Sequence, residues 1–406
     1  MIVTKTLKQA TLALRGGMTD REPGEPVTPR IEPASSFYAS AEGVGFSAND
    51  LADAPPPFYT RWGNPTLTLL EDRLTALEGG AASVVFASGM AAISGLFLSR
   101  LKMGDQLVLS NVCYAGVAEL ALDILPGYGI EVTRVDTSKT ESVAAAVRPG
   151  RTRLIHIETP ANPILNVSDI EAIAKIAHSA GAELSVDSTI ATPIATRPLS
   201  LGADYVVHSL TKYMVGHGDA LGGSVTARDA EKAAAVRAGP LIHFGGVLSP
   251  FAAWLILRGI ETLPARMRIH EENARAIARF LEAHPAVSGV LWPGLESHRQ
   301  AQLARRQMQN FSGLLSFTVK GDAKAFAAKF ASGLRVISYA VSLGKTLSLL
   351  YYIPTDDILR SSFRLEGEAE ADYRAAAGEG VFRFSVGLED ADDLIEDLAR
   401  VLHDGV

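Results

Sequence analysis

Apolar positions in the middle of the chain fall into short runs. SVVFA (83–87), QLVLS (106–110), EVTRV (131–135), RLIHIE (153–158), ELSVD (183–187) and DYVVHS (204–209) are of strand length and rich in branched residues. Between them lie segments such as GMAAISGLFLSRL and DIEAIAKIAHSAG, whose apolar residues recur at helical spacing. This alternation predicts an α/β fold with a mostly parallel sheet covered by helices on both faces. A further helix is predicted from Thr66 through LTLLEDRLTALEGG, ended by its glycine pair. Residues 1–64 are rich in Pro, Gly and Ser and have no such pattern, so they read as an extended arm. After about residue 250 the texture changes. One long helical stretch, FAAWLILRGIETLPARMRIHEENARAIARFLEAH, leads into a smaller α+β region that ends in VFRFSVGLEDADDLIEDLARVL. The expected division is an arm at 1–64, a sheet-bearing domain at 65–255 and a C-terminal domain at 256–406.

Composition narrows the classes. Of 406 residues, 47% are hydrophobic and 20% charged, which suits a globular protein with a large core. The net charge of −7 argues against a nucleic-acid partner. No apolar run reaches the roughly 18 residues of a membrane span. The single cysteine, Cys113, permits no intrachain disulfide and reads as a small buried apolar residue; a reducing, cytoplasmic setting fits. The N-terminal stretch MIVTKTLKQATLALRGG has basic residues and no acid, but it lacks serine and has one arginine, so a transit peptide is not favoured.

Several motif-like strings fail. SLGKT (342–346) resembles the end of a phosphate loop, but Tyr339 stands where its first glycine is required. GHGDALGG (216–223) has the wrong glycine offsets for a dinucleotide fingerprint. HEENA (270–274) lacks the second histidine of a zinc helix, and the nine histidines show no metal spacing.

HSLTKYMVGHGDALGG (208–223) poses a sharper question. Lys212 follows a strand that reads as buried, and a buried lysine is costly unless paired or neutralised. One solution is a nucleophile that forms a Schiff base with a carbonyl cofactor. Five other segments, and the hydroxyls beside the lysine, agree with that. Asp187 ends a strand 25 residues earlier and can hold a pyridinium nitrogen protonated, although an N-cap is the bland reading. ASGMAAISG (87–95) opens a helix on small residues, leaving the Gly89 and Met90 N–H groups free for an anion. Tyr59 and Arg61 in YTRWGNPT suit phosphate oxygens, with a solvated loop as the alternative. Tyr114 follows the strand QLVLS and could stack on a planar ring or lie in the core. Arg383 alternates with apolar residues in FRFSVGLED and suits a carboxylate, with a structural ion pair as the alternative.

Taken together, these strings resemble the Cys/Met-metabolism family of pyridoxal-phosphate enzymes, which includes methionine γ-lyase, cystathionine γ-lyase and cystathionine γ-synthase. The resemblance runs from TLALRGG through YTRWGNPT, ASGMAAISG, ETPANPILNVSDI, HSLTKYMVGHGD and WPGL to FRFSVGLED. It implies a fold type I, aspartate-aminotransferase-like architecture and pyridoxal 5'-phosphate as cofactor. It also implies roles. Lys212 would carry the cofactor and shuttle protons, and Asp187 would pair with the ring nitrogen. Tyr114 would stack on the ring and assist the leaving group. Gly89, Met90, Ser209 and Thr211 would hold the phosphate, helped by Tyr59 and Arg61 of a neighbouring subunit, and Ser88 would also bind the cofactor. Glu158 and Asn162 would border the cofactor. Asn162, Ser342 and Arg383 would hold the substrate carboxylate. A homotetramer built from two dimers is expected.

The chain departs from the family pattern in places. Leu210 replaces a small residue, which should change packing and not chemistry. Gly116 stands where methionine γ-lyases carry a cysteine, while Val341 resembles those enzymes. The string after SLG differs, and Ser342 and Arg383 lie 41 residues apart, a few more than usual. The divergent 345–380 stretch is expected at the substrate entrance. There Asp356 and Asp357 could receive a cationic leaving group such as that of canavanine, or merely cap a helix beginning near Ile358. The leading reading is a γ-lyase. The enzyme alternative is γ-replacement on an activated homoserine. A cofactor-sensing regulator on the same fold is disfavoured, because the segment before Thr66 is too short and irregular for a DNA-binding module.

Overall fold

The computed structural model describes residues 7–18, 23–38 and 57–403. Seven strands form the larger sheet: β1 (Ala82–Phe86), β2 (Gln106–Ser110), β3 (Glu131–Val135), β4 (Thr152–Glu158), β5 (Glu183–Asp187), β6 (Tyr205–Ser209) and β7 (Gly223–Ala227). Their order is β1-β7-β6-β5-β4-β2-β3. Only β7 runs against its neighbours, so the other six point the same way. The expected α/β, mostly parallel architecture is therefore present, and the six strands read from the sequence match within a residue or so at each end.

The seventh strand was not legible. GGSVTA looked like the tail of a glycine-rich run. The chain leaves β6, forms the Lys212 turn and returns beside β6 without a crossover helix, which forces an antiparallel pair. Glycine is required where β7 starts. A Cβ on Gly223 would stand 2.1 Å from the Ser88 carbonyl oxygen, so this backbone contact exists only with hydrogen there.

The helix predicted from Thr66 spans Pro65–Glu78. The Asn64 side chain caps its start by accepting from Thr66 N, and Gly79 at φ +71° ends it. A helix of 34 residues, Pro250–Ala283, follows the large sheet. It leads to five strands: β8 (Val287–Leu291), β9 (Leu314–Val319), β10 (Ser338–Tyr339), β11 (Leu349–Pro354) and β12 (Gly380–Ser385), ordered β10-β11-β12-β9-β8. The amphipathic helix Ala391–His403 buries Leu394, Leu398, Val401 and Leu402 in a cluster that includes Phe317, Phe330 and Phe382.

Two expectations need correcting. The stretch before residue 64 is not wholly an extended arm. Gln9–Arg15 is helical, and Leu12 and Ala13 are buried against the chain's own core. The buried Arg73 guanidinium donates to the carbonyls of Ala13 (2.6 Å) and Gly16 (2.7 Å). The divergent 345–380 stretch, expected at the substrate entrance, contributes no residue to the lining of the cavity described below, and much of it packs elsewhere. Phe363, Leu365 and Tyr373 join the core of the large sheet. Arg364 grips Asp123 through two bonds of 2.6 and 2.9 Å, and Lys139 binds Asp372 at 2.7 Å. The segment thus braces the outer end of the sheet.

Arg266, on the long helix, clamps the Lys212 turn. It is 4% exposed and donates to the carbonyls of Tyr213 (2.8 Å), Met214 (3.2 Å) and Gly259 (2.7 Å). Gly216, at φ +73°, passes so close that a Cβ there would meet the guanidinium at 2.2 Å. Replacing Arg266 with Met keeps apolar bulk and leaves those carbonyls without their donor. Arg266→Met should lower the unfolding free energy of the cofactor-loaded protein by about 3 kcal/mol, read from the denaturant midpoint. An unchanged midpoint would show that the clamp contributes nothing.

Candidate active site

Because six strands run in one direction, their carboxyl ends share one edge, the usual place for ligands in α/β sheets. A cavity of ≈ 220 Å³ opens there. Ser88, Gly89 and Met90 after β1, Tyr114 after β2, and Glu158 and Asn162 from β4 and its loop line it. Asp187 from β5 and Ser209, Thr211 and Lys212 from β6 and its turn complete the wall. Ten residues singled out in five separate stretches of sequence therefore meet in one space.

The wall after β1 is built for an anion. Ser88 caps the helix Gly89–Arg100 by accepting from Ala91 N. Gly89 and Met90, at the first helical positions, have no carbonyl four residues back within the helix. A Cβ on Gly89 would come within 2.8 Å of the Ser209 Cβ, so the helix start sits directly against the Ser209 hydroxyl. The Thr211 hydroxyl accepts from Gly222 N at 3.1 Å on the same side.

Two carboxylates form the floor. Glu158 and Asp187 are partners in the β4–β5 register, and both are buried. Asp187 accepts from Thr189 N at 3.0 Å, and Thr189 Oγ1 accepts from Ser209 N at 2.8 Å. Burial pushes the Asp187 carboxyl above its ordinary range. Burial, and next the charge of Asp187, push Glu158 up to about 8. A ring cation beside Asp187 would offset the burial cost of its charge. Thr189 also lines the cavity and was missed in the sequence; the only signal was its place two residues after Asp187.

Lys212 donates to the Ser342 hydroxyl at 3.3 Å and forms no ion pair with a described carboxylate. Its pKa is lowered, first by burial and then by the charges of Arg383 and Lys345. Arg383 donates to Asn162 Oδ1 and to the Ser342 carbonyl, each at 3.2 Å. Ser342 itself sits at φ +92°, an uncommon conformation for a residue with a side chain. Neither Arg383 nor Ser342 lines the cavity described above, but both connect to it through Lys212 and Asn162.

Tyr114 is 49% exposed, which decides against the core reading. A Cβ on Gly116 would lie 2.9 Å from the Tyr114 ring and 3.3 Å from the Met90 sulfur, so any larger residue there displaces one of them. Cys113 is buried, as expected, and Leu210 is packed in the core beside Tyr213 and Met214. Tyr59 and Arg61 are not at the cavity of this chain. Arg61 donates to the Ile242 carbonyl at 3.0 Å and lies over the Trp62 ring. Asp356 and Asp357 are also elsewhere. They occupy the first turn of the helix Thr355–Ile358 and pair with Arg374 and Arg360, each at 2.8 Å. They are thus helix-end charges, although they lie inside the first turn of a helix that begins at Thr355 and do not cap one beginning near Ile358.

A half-buried amine without a described carboxylate partner, a carboxylate floor and a helix start with free N–H groups suit a site of the pyridoxal-phosphate kind. Residues 10–403 match the profile of the Cys/Met metabolism PLP-dependent enzymes, and the chain belongs to that family. It is 41% identical to the canavanine γ-lyase of Pseudomonas canavaninivorans, over 98% of this chain and 96% of that protein. It is 40% identical to the L-methionine γ-lyase of Porphyromonas gingivalis, over 97% and 96%. Among solved structures, cystathionine γ-synthase from Xanthomonas oryzae pv. oryzae superposes with a TM-score of 0.86, at 37% identity and 98% coverage of both chains. The protein is thus an enzyme of the PLP-dependent γ-lyase and γ-synthase group. No helix among the described residues is long and apolar enough to cross a membrane.

The surroundings of Lys212 set a pH test. Burial, Arg383 and Lys345 all favour the neutral amine, which is the nucleophilic form. Cofactor uptake by the stripped protein, followed by absorption, should reach half its maximal rate below the free-lysine value of about 10.4. Lys345→Met removes one positive charge and should move that midpoint upward. A midpoint at or above the free value, or one unmoved by Lys345→Met, would contradict this electrostatic account.

Proposed function

We propose that this enzyme catalyses γ-elimination from an amino acid that carries a leaving group on its γ-carbon, in the cytoplasm. The observation that carries the reading is the line of contacts from Lys212 through Ser342 to Arg383 and Asn162, set above the Asp187 floor. The donor set fits pyridoxal phosphate. Ser88, Gly89, Met90, Ser209 and Thr211 would hold its phosphate, Asp187 its ring nitrogen, and Tyr114 one face of its ring. When bound, this group supplies an electron sink for the bonds broken at the substrate α-carbon.

The protein's part follows from its own groups. Arg383, oriented by Asn162, presents a planar donor fork to the substrate carboxylate. Lys212, with its depressed pKa, takes the α-proton and moves protons at the neighbouring carbons. Tyr114 lies half in solvent at the cavity, which supports a role in protonating a departing group. Tyr59 and Arg61, engaged outside the cavity of their own chain, are assigned to the phosphate of a neighbouring subunit within a homotetramer. The arm at 1–64 would carry them there, ahead of domains at 65–255 and 256–406.

The resemblance to canavanine γ-lyase supports a canavanine-type substrate, but Asp356 and Asp357 do not, since arginines already hold both. Methionine- and cystathionine-type substrates stand beside it. The likeness to a cystathionine γ-synthase supports a second reading, γ-replacement by a thiol on an activated homoserine, which uses the same residues.

Canavanine, methionine, cystathionine and O-acetylhomoserine, each assayed with and without an added thiol, separate these readings. A keto acid or homoserine should form without thiol at a kcat/KM above that for replacement, and Lys212→Ala should abolish it while the fold survives. A preferred substrate should stand out by at least about tenfold, equivalent to roughly 1.4 kcal/mol. Turnover only with thiol would transfer the assignment to replacement. The shared site has its own check: an Arg61→Ala protein mixed with a Lys212→Ala protein should regain partial activity after subunit exchange. No recovery after verified exchange would mean that each site is built from one chain.

A further inference from the structure

Glu158 makes no ion pair with any described residue. Its two oxygens are used on the backbone of two different loops: Oε2 accepts from Tyr114 N at 2.6 Å, and Oε1 accepts from Asn162 N at 2.8 Å. Its own main chain is fixed, because Glu158 N donates to the Ser110 hydroxyl and the carboxylate stands at the end of β4. Beyond one of these contacts lies the Tyr114 ring; beyond the other lies Asn162, whose Oδ1 receives Arg383.

We propose that Glu158 is a positioning residue, whose single carboxylate ties the aromatic wall at Tyr114 to the carboxylate clamp at Asn162 and Arg383 and so sets how an amino acid is held. The placement is otherwise hard to explain. Two carboxylates on adjacent buried strands repel, and Glu158 stays beside Asp187 although burial and that charge both disfavour its ionised form. Only the ionised form offers two acceptor oxygens free of protons, one for each loop. Glutamine keeps the shape but has a single acceptor, and its NH2 would face one of the two N–H groups.

The inference rests on the reading of the Asn162–Arg383 pair as the substrate-carboxylate site. It is tested with glycine, which has the α-amino and α-carboxylate groups but nothing to eliminate. Failure of every γ-substituted compound to react would sink the functional reading and leave this test intact. The cofactor-loaded wild type, Glu158→Gln, Asn162→Ala and the double variant are titrated with glycine, and the change in the cofactor absorption band gives each dissociation constant. Glu158→Gln should keep its cofactor and weaken glycine binding about tenfold, roughly 1.4 kcal/mol. In the Asn162→Ala background the same change should weaken it less than about threefold, because the group that Glu158 acts through is gone. Wild-type affinity in Glu158→Gln, or a tenfold loss that persists without the Asn162 side chain, would overturn the proposal. If Glu158→Gln does not fold, Glu158→Asp, which keeps the charge and shortens the reach, takes its place under the same criteria.

Discussion

The structure is organised around an amine held in the protein without a carboxylate to neutralise it. The charges that act on Lys212 are those of Arg383 and Lys345, and both are positive. Its hydrogen-bond partner is a neutral hydroxyl. Such an arrangement is unfavourable for an ammonium ion and favourable for a neutral nucleophile. It persists because the backbone around it is over-determined. Arg266 holds the carbonyls that follow Lys212, and Thr346 N donates to the Gly216 carbonyl at 2.8 Å. Ser342 keeps an uncommon backbone conformation between them.

The carboxylates that line the cavity have the opposite bias. Glu158 and Asp187 are buried at the ends of β4 and β5, while the positive charges of Arg383 and Lys345 act on Lys212 in the turn after β6. A ring cation beside Asp187 and an anionic carboxylate beside Arg383 would each meet complementary charge. Such complementarity would orient an amino acid and its cofactor before any chemistry takes place.

The departures from the family pattern differ in consequence. Gly116 matters at short range, because it determines how closely the Tyr114 ring and the Met90 sulfur approach. Leu210 is absorbed by the core. The stretch near 355–377 works at a distance from the cavity: Ser362 donates to Glu119 at 2.6 Å and Arg364 binds Asp123, both on the helical segment that begins after Tyr114. Its contacts support that segment. Lys345, in contrast, comes from the first residues of the divergent string and lies beside the Lys212 turn, where a Cβ on Gly218 would meet its side chain at 2.6 Å.

Much of the site could be read from the sequence because its members are carried on local signals. A strand end followed by Asp187, a helix opening on Gly89 and Met90, and hydroxyls flanking Lys212 are each set by neighbours along the chain, and parallel strands bring such ends to one edge. Periodicity likewise gave the six parallel strands and the long helix. Tertiary structure alone decided the rest. β7 has no period of its own that separates it from a glycine-rich loop; pairing with β1 and β6 makes it a strand. Asp356 and Asp357 look like free charges until Arg374 and Arg360 are found beside them. Glu158 is an ordinary strand-end acid until the backbone N–H groups of two loops converge on it. In each case the deciding partner is distant in sequence, and burial makes its presence or absence count.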